Sequence, residues 1–227
     1  MKIPKLPWAR LLAEGALIIV SVYLAIVLEG MSRDRESARA AHIALAQMLD
    51  EMREDRSDVA EIRAIQIERD GQYKALIHSL TSPDTMPLDP VADAMDSIFF
   101  SNRTLYPRRA AWTTMVAAGQ LAELDDPALV TRLGNFYESV TVRVIDSGQD
   151  YDENINEIGR NSATEIWDGL NGRLLINDVH QLTKFQNQLR YLHIGWNIWY
   201  LDRMDDYNQR LDSLIIDIES YLKQHAG

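Results

Sequence analysis

DVHQLTKFQNQLRYLHIGWNIWYLDRMDDYNQRLDSLIIDIESYLKQH, residues 178–225, decides the fold. Its apolar positions are Leu182, Phe185, Leu189, Leu192, Trp196, Tyr200, Met204, Tyr207, Leu211, Leu214, Ile218 and Tyr221. Steps of three and four residues place them on one stripe of a helix. Asp178, with Gln181 three residues later, makes a capping box at its start. The steps run 3-4-3-4-4-4-3-4-3-4-3, so the heptad slips near residues 196–207 and the supercoil relaxes there.

Two more segments match it in length. Residues 36–80 hold no proline and place Leu45, Met48, Met52, Val59, Ile62, Tyr73, Leu76 and Leu80 at helical spacings. SPDTMPLDP (82–90) stops that helix with three prolines. Short helices follow over about 90–99, opened by Asp89-Pro90, and about 107–118, stopped by Gly119 in a left-handed cap. Asp126-Pro127 opens the next long helix, about 126–170, which Asn171-Gly172 ends, before the last one at about 178–225. No segment alternates with period two for long enough to be a strand. The expected fold is all-α: an N-terminal transmembrane helix, then an elongated antiparallel three-helix bundle with a short helical distal cap. Short connections make neighbours antiparallel. The first long helix then rises from the membrane to a cap made of 81–125, the second returns, and the third rises again.

The membrane enters through KIPKLPWARLLAEGALIIVSVYLAIVLEGMSRDRE (2–36), in which residues 16–28 carry no charge. Extended to about 11–31, the run takes in Glu14 and Glu29 and covers a hydrocarbon core of ~30 Å at ~1.5 Å per residue. Residues 1–31 therefore read as a retained anchor and 32–227 as one extramembrane helical domain. The best small-residue cleavage site, Ala38-Arg39-Ala40, lies beyond a charged segment. Lys2, Lys5 and Arg10 before the span outweigh Arg33 and Arg35 after it, which places the N-terminus in the cytoplasm and the domain outside. The chain holds 23 basic and 34 acidic residues, a net −11. Lys2, Lys5, Arg10, Glu14 and Glu29 sum to +1, leaving −12 on the body, which repels nucleic-acid phosphates. Without cysteine there are no disulfides, thiol nucleophiles or cysteine metal sites.

Two stretches resemble an uncharacterised family of bacterial single-pass membrane proteins. One is the anchor, Glu14, then ALIIVSVYLAIVL, then Glu29. The other is YPRRAAWTTMVAAGQLAELDDPALVTRLGNFYES (106–139), with its aromatic-proline start, Ala-Gly-Gln-Leu cap and Leu…Phe-Tyr helix. Where relatives carry an asparagine-tryptophan pair at the span exit, this chain has Glu29-Gly30-Met31. The resemblance implies the architecture and a bacterial inner-membrane location; it transfers no catalytic residue.

Three groups of residues are candidates for function. Arg10, Glu14 and Glu29 are the charges of the span; Arg10 and Glu14 are one helical turn apart and can pair near the interface. Asp55, Gly148, Trp196, Asn197 and Trp199 are expected at similar heights, as a small mid-bundle ligand cavity or as ordinary packing of tryptophan over glycine. Arg103, Arg108 and Arg109 form a compact basic cluster, for an anionic partner or for internal pairing with Glu123, Asp125 and Asp126. Leu174, Leu175 and Ile176 are expected near the bilayer. His42, His78, His180, His193 and His225 lack metal-site spacing, and neither a hydroxyl-nucleophile signature nor a phosphate loop is present. The sequence thus points to a non-enzymatic, membrane-anchored helical module without cofactor, binding a partner or ligand as a homo-oligomer, with the bilayer and an envelope protein as partners. A structural spacer is the first alternative and an ion- or proton-conducting assembly using Glu14 the second.

Overall fold

The computed structural model describes residues 8–81, 88–101, 103–171, 173–175 and 178–225. Lys2, Lys5, most of the proline-rich loop, Gly172 and Ile176 lie outside them, as does the side chain of Arg10. The molecule is all-α and starts with α1 (Trp8–Ser79), 72 residues of unbroken helix that Gly30 does not interrupt. At ~1.5 Å per residue it is roughly 110 Å long. Its early part is an apolar stretch with no buried residue, long and apolar enough to cross a membrane. Between positions 14 and 40 no described side chain is buried; the bundle begins at Ala41.

Four legs make the bundle. The first is α1 beyond Ala41. The second is α2 (Leu88–Phe99), an extended strap over 103–109, and α3 (Ala110–Ala117). A turn with Gly119 at φ 69° leads on to α4 (Pro127–Asn135). Asp126 caps α4 by accepting from the Leu129 amide at 2.9 Å, and Pro127 fills a first-turn place whose amide has no helical partner. The third leg continues through a π-helical segment (Phe136–Val140), α5 (Thr141–Ile158), a second π segment (Gly159–Ala163) and α6 (Thr164–Ile166). The fourth is α7 (Val179–Arg190), a π segment over Tyr191–Asn197, and α8 (Ile198–Gln224). Between third and fourth, β1 (Trp167–Asp168) pairs antiparallel with β2 (Arg173–Leu174), a pairing too short to leave any period-two pattern.

The direction of the last leg differs from the sequence expectation. Arg53 meets Glu219 at 2.8 Å, Arg63 meets Asp205 at 2.5 Å, and Asp70 meets His193 at 2.5 Å. One number climbs as the other falls, so α1 and α8 are antiparallel. The rings of Tyr221 and His225 pack on His42 at the base. The cause is the path of 81–125. Instead of capping the far end, that segment descends along α1 as a leg of its own, burying Val91, Met95, Ile98, Trp112 and Met115. Each later leg is therefore inverted. The hairpin with Leu175 lies at the end remote from the apolar stretch of α1, not beside it as the sequence suggested.

Inward positions of α1 follow a strict alternation of three and four: Leu45, Met48, Met52, Asp55, Val59, Ile62, Gln66, Arg69, Tyr73, Leu76, Leu80. Eight of these eleven are apolar or aromatic. The other three, Asp55, Gln66 and Arg69, are buried polar side chains in core positions, and such groups need partners.

Candidate functional site

Those partners belong to the strap. A non-helical segment inside a bundle leaves its own amides and carbonyls to be satisfied by other groups. Arg69 donates to the Ser101 carbonyl at 2.9 Å and Gln66 to the Arg103 carbonyl at 2.7 Å. The Leu105 amide donates to the Tyr200 hydroxyl at 2.6 Å. Asp55 accepts from the Arg108 amide at 3.1 Å, and Glu51 from the Ala111 amide at 3.1 Å. Polar heptad positions on α1 thus read the strap's backbone, with Tyr200 joining from α8.

Two polar layers result. In the lower one, Asp55 is 2% exposed and also takes the Arg108 guanidinium at 2.8 Å and the Tyr207 hydroxyl at 3.1 Å. Burial pushes its carboxyl above the usual range, against the pull of Arg108 and Tyr207. In the upper one, Asn197 donates to Gln66 Oε1 at 3.1 Å, while Arg69 and Tyr73 bond to the Tyr151 hydroxyl. Burial drives the phenols of Tyr73, Tyr200 and Tyr207 far up, so they remain neutral hydrogen-bonding groups. The lower layer sets the Tyr207 hydroxyl against the Asp55 carboxylate deep in the core, and no group of three or more metal-ligating residues occurs among the described residues.

The five residues expected at one mid-bundle height are distributed over four places. Asp55 belongs to the lower layer and Asn197 to the upper, about eleven residues of α1 apart, or ~16 Å. Gly148 lies between them, where an added Cβ would meet Thr104 and the Tyr200 hydroxyl, both at 3.3 Å. Inversion of the last leg separates them. Trp196 and Trp199 are only half-buried, with Trp196 packed on the outside of the core. The π segment adds one residue, which puts Asn197 on the buried stripe where the sequence suggested Trp196.

Both tryptophans stand in an outer ladder. Tyr191 and Trp196 meet edge-on, with centroids 6.3 Å apart and planes at 79°. Trp196 and Trp199 do the same at 5.6 Å and 86°, and the Arg203 guanidinium lies over Trp199 at 5.0 Å. Tyr191, Ile194 and Ile198 are solvent-exposed, Ile194 by 63%. Partly exposed Trp, Tyr and Arg beside exposed apolar side chains are the residue types that dominate contact surfaces. Sequence reading missed Tyr191 and Arg203, although their spacing to Trp196 and Trp199 was visible.

The arginine cluster pairs with carboxylates other than those expected. Arg103 binds Glu61 at 2.7 Å, Arg109 binds Glu138 at 3.3 Å, and Arg108 binds Glu54, Asp55 and Asp58 within 2.9 Å. Glu14 is exposed, and Glu29 bonds Arg33 one turn on at 2.6 Å. A separate groove of about 350 Å³ opens between α4 and α8, floored by Phe136, Val140 and Leu214; Arg132 and Asp217 close on each other across it at 2.9 Å.

The model of DUF6090, described as a family of unknown function, matches residues 14–195. No curated protein and no solved structure matches the chain.

Proposed function

This chain belongs to DUF6090, a family of unknown function, and we propose that it is a non-enzymatic, membrane-anchored module that holds a binding surface away from the bilayer. The surface is the ladder of Tyr191, Trp196, Trp199 and Arg203 with Ile194 and Ile198, and its exposure is the observation that carries the reading. By the pairing of Asp70 with His193, it stands level with the upper part of α1, nearly 40 residues beyond Met31, or roughly 60 Å. The module works as a homo-oligomer in a bacterial inner membrane. Lys2, Lys5 and Arg10 keep its N-terminus cytoplasmic and its bundle periplasmic, facing envelope components.

The test is photo-cross-linking in intact cells from a probe at Ile194, with a probe at Ile216, equally exposed but about 20 residues farther along α8, as control. An adduct from position 194 that vanishes with Trp199→Ala supports the reading; equal labelling from both positions overturns it. Carbonate extraction and a C-terminal reporter fusion test the anchor and its orientation. Mass photometry in nanodiscs tests the oligomer. One observation favours a second reading, a spacer: α1 runs from the span into the bundle without a break. Removal of matched heptads from the legs would then abolish function while ladder substitutions leave it intact.

A further inference from the structure

We propose that the ladder binds a neutral saccharide chain, an inference that rests on its reading as the binding surface. Four features converge on this ligand class. Three aromatic rings line one outer stripe, each junction edge-on, so the rings are not stacked face to face on one another. Aromatic faces are electron-rich and attract the C–H faces of pyranose rings while shedding little-bound water. From Tyr191 to Arg203 the stripe covers about 18 Å of helix, longer than a single sugar ring.

The second feature is a pair of polar atoms without partners on the same stretch. The indole N–H of Trp196 and the side-chain carbonyl of Gln188 are occluded and make no hydrogen bond among the described residues. Unsatisfied donors and acceptors call for an explanation. Both atoms are covered as the side chains stand, so a ligand reaches them only by turning these half-buried groups outward, and hydroxyls, each both donor and acceptor, then satisfy either one.

The third feature is local charge. Arg190, Asp202 and Arg203 flank the stripe with mixed signs. Arg203 already covers one face of Trp199, which sets a repulsive charge against an incoming organic cation. The fourth is the net −12 of the body, which repels anionic polymers. A polyol is indifferent to both.

The experiment is isothermal titration of the full chain in nanodiscs with maltohexaose, cellohexaose and chitohexaose, followed in parallel by tryptophan fluorescence. Saturable binding of at least one is expected, weakened tenfold or more by Tyr191→Ala and by Trp199→Ala, with circular dichroism confirming that both variants fold. Leu170→Ala, at the distal hairpin, leaves it unchanged. Silence with all three sugars, binding of choline in their place, or affinities unmoved by the ladder variants overturns the proposal. If the sugars are silent while Trp199→Ala still abolishes the cross-link from Ile194, the ligand class fails and the surface survives. Loss of neither effect condemns both.

Discussion

Asp55 and Arg108 show what a charged side chain costs and does inside this bundle. Asp55 is almost fully buried, and its ionised form is tolerated because an amide, a guanidinium and a phenol converge on it. Arg108→Ala takes away the cation and leaves the carboxylate buried, a change that costs about 3–5 kcal/mol in fully buried pairs and less here, where the Arg108 side chain is 38% exposed. Urea denaturation of the variant measures it, and a loss below half a kcal/mol would show that the pair is only a surface bridge. The pH dependence has a definite sign. Burial raises the Asp55 pKa above its unfolded value, so the native state holds the proton more tightly there. That contribution is fully present below the unfolded pKa and is lost as pH rises through the raised one. Asp55→Asn has no such dependence. The stability of the native chain relative to this variant should therefore shrink from pH 4 to pH 8, which paired melts at each pH will read. A gap that widens would reverse the assignment. Asp55, Gln66 and Arg69 were legible in one respect: they complete the three-four alternation of α1. Their partners were not, because those are backbone groups of residues 101–111, and hydrogen bonds between a side chain and a distant main chain leave no mark in periodicity.

At the scale of elements, the informative object is the π segment over Tyr191–Asn197. The sequence carried its trace as three successive steps of four. Buried positions show the cause: Phe185, Leu189 and Leu192 lead to Asn197, Tyr200 and Met204, with a step of five in the middle. One residue has been inserted into a heptad, and the helix absorbs it as a wider turn. Cutting out exposed Ile194 should restore a regular helix while both flanking stripes keep their register. We expect that deletion to fold and to lose no more than about 1–2 kcal/mol, since no core side chain is removed. Deleting Asp202 from the regular part of α8 rotates everything beyond it by one position, and that chain should not fold cooperatively. Thermal melts by circular dichroism compare the two, and equal damage would mean the segment is not a one-residue insertion. The Ile194 deletion also shifts Tyr191 against Trp196, so it should break the ladder in a folded protein. Caps were the most readable features at this scale: Asp126 accepts the amide of Leu129, and Asp178 caps the last leg, although it takes the amide of His180 rather than that of Gln181. Trp196 was misplaced because a tryptophan looks like core and an asparagine does not, whereas the inserted residue gives the buried place to Asn197.

For the whole molecule, the all-α class followed from stripes that each belong to one helix, but the order of legs depends on where a short segment lies. α2 and α3 are too short to count as legs by length, yet together with the strap they descend most of the bundle, and an even number of crossings brings the chain's end back to its base. The absence of cysteine makes this measurable with introduced spin labels. Labels at His42→Cys and His225→Cys should report a separation under about 20 Å, since the two rings lie 5.8 Å apart and label arms add the rest. Labels at His42→Cys and Leu170→Cys should lie beyond about 50 Å, because α1 alone climbs from 42 to 79 at ~1.5 Å per residue. A last helix rising parallel to α1 would exchange these two values, with the C-terminus remote and the hairpin near the base. The measurement also bears on how the bundle is built. With four legs the end nearest the apolar stretch of α1 gathers the end of α8, Gly119 and His42, while the hairpin and the upper polar layer stand farthest from it. The ladder then stands on a four-legged column whose first and last legs are joined by ion pairs from Arg53–Glu219 up to Asp70–His193, rather than on the free end of a single rod.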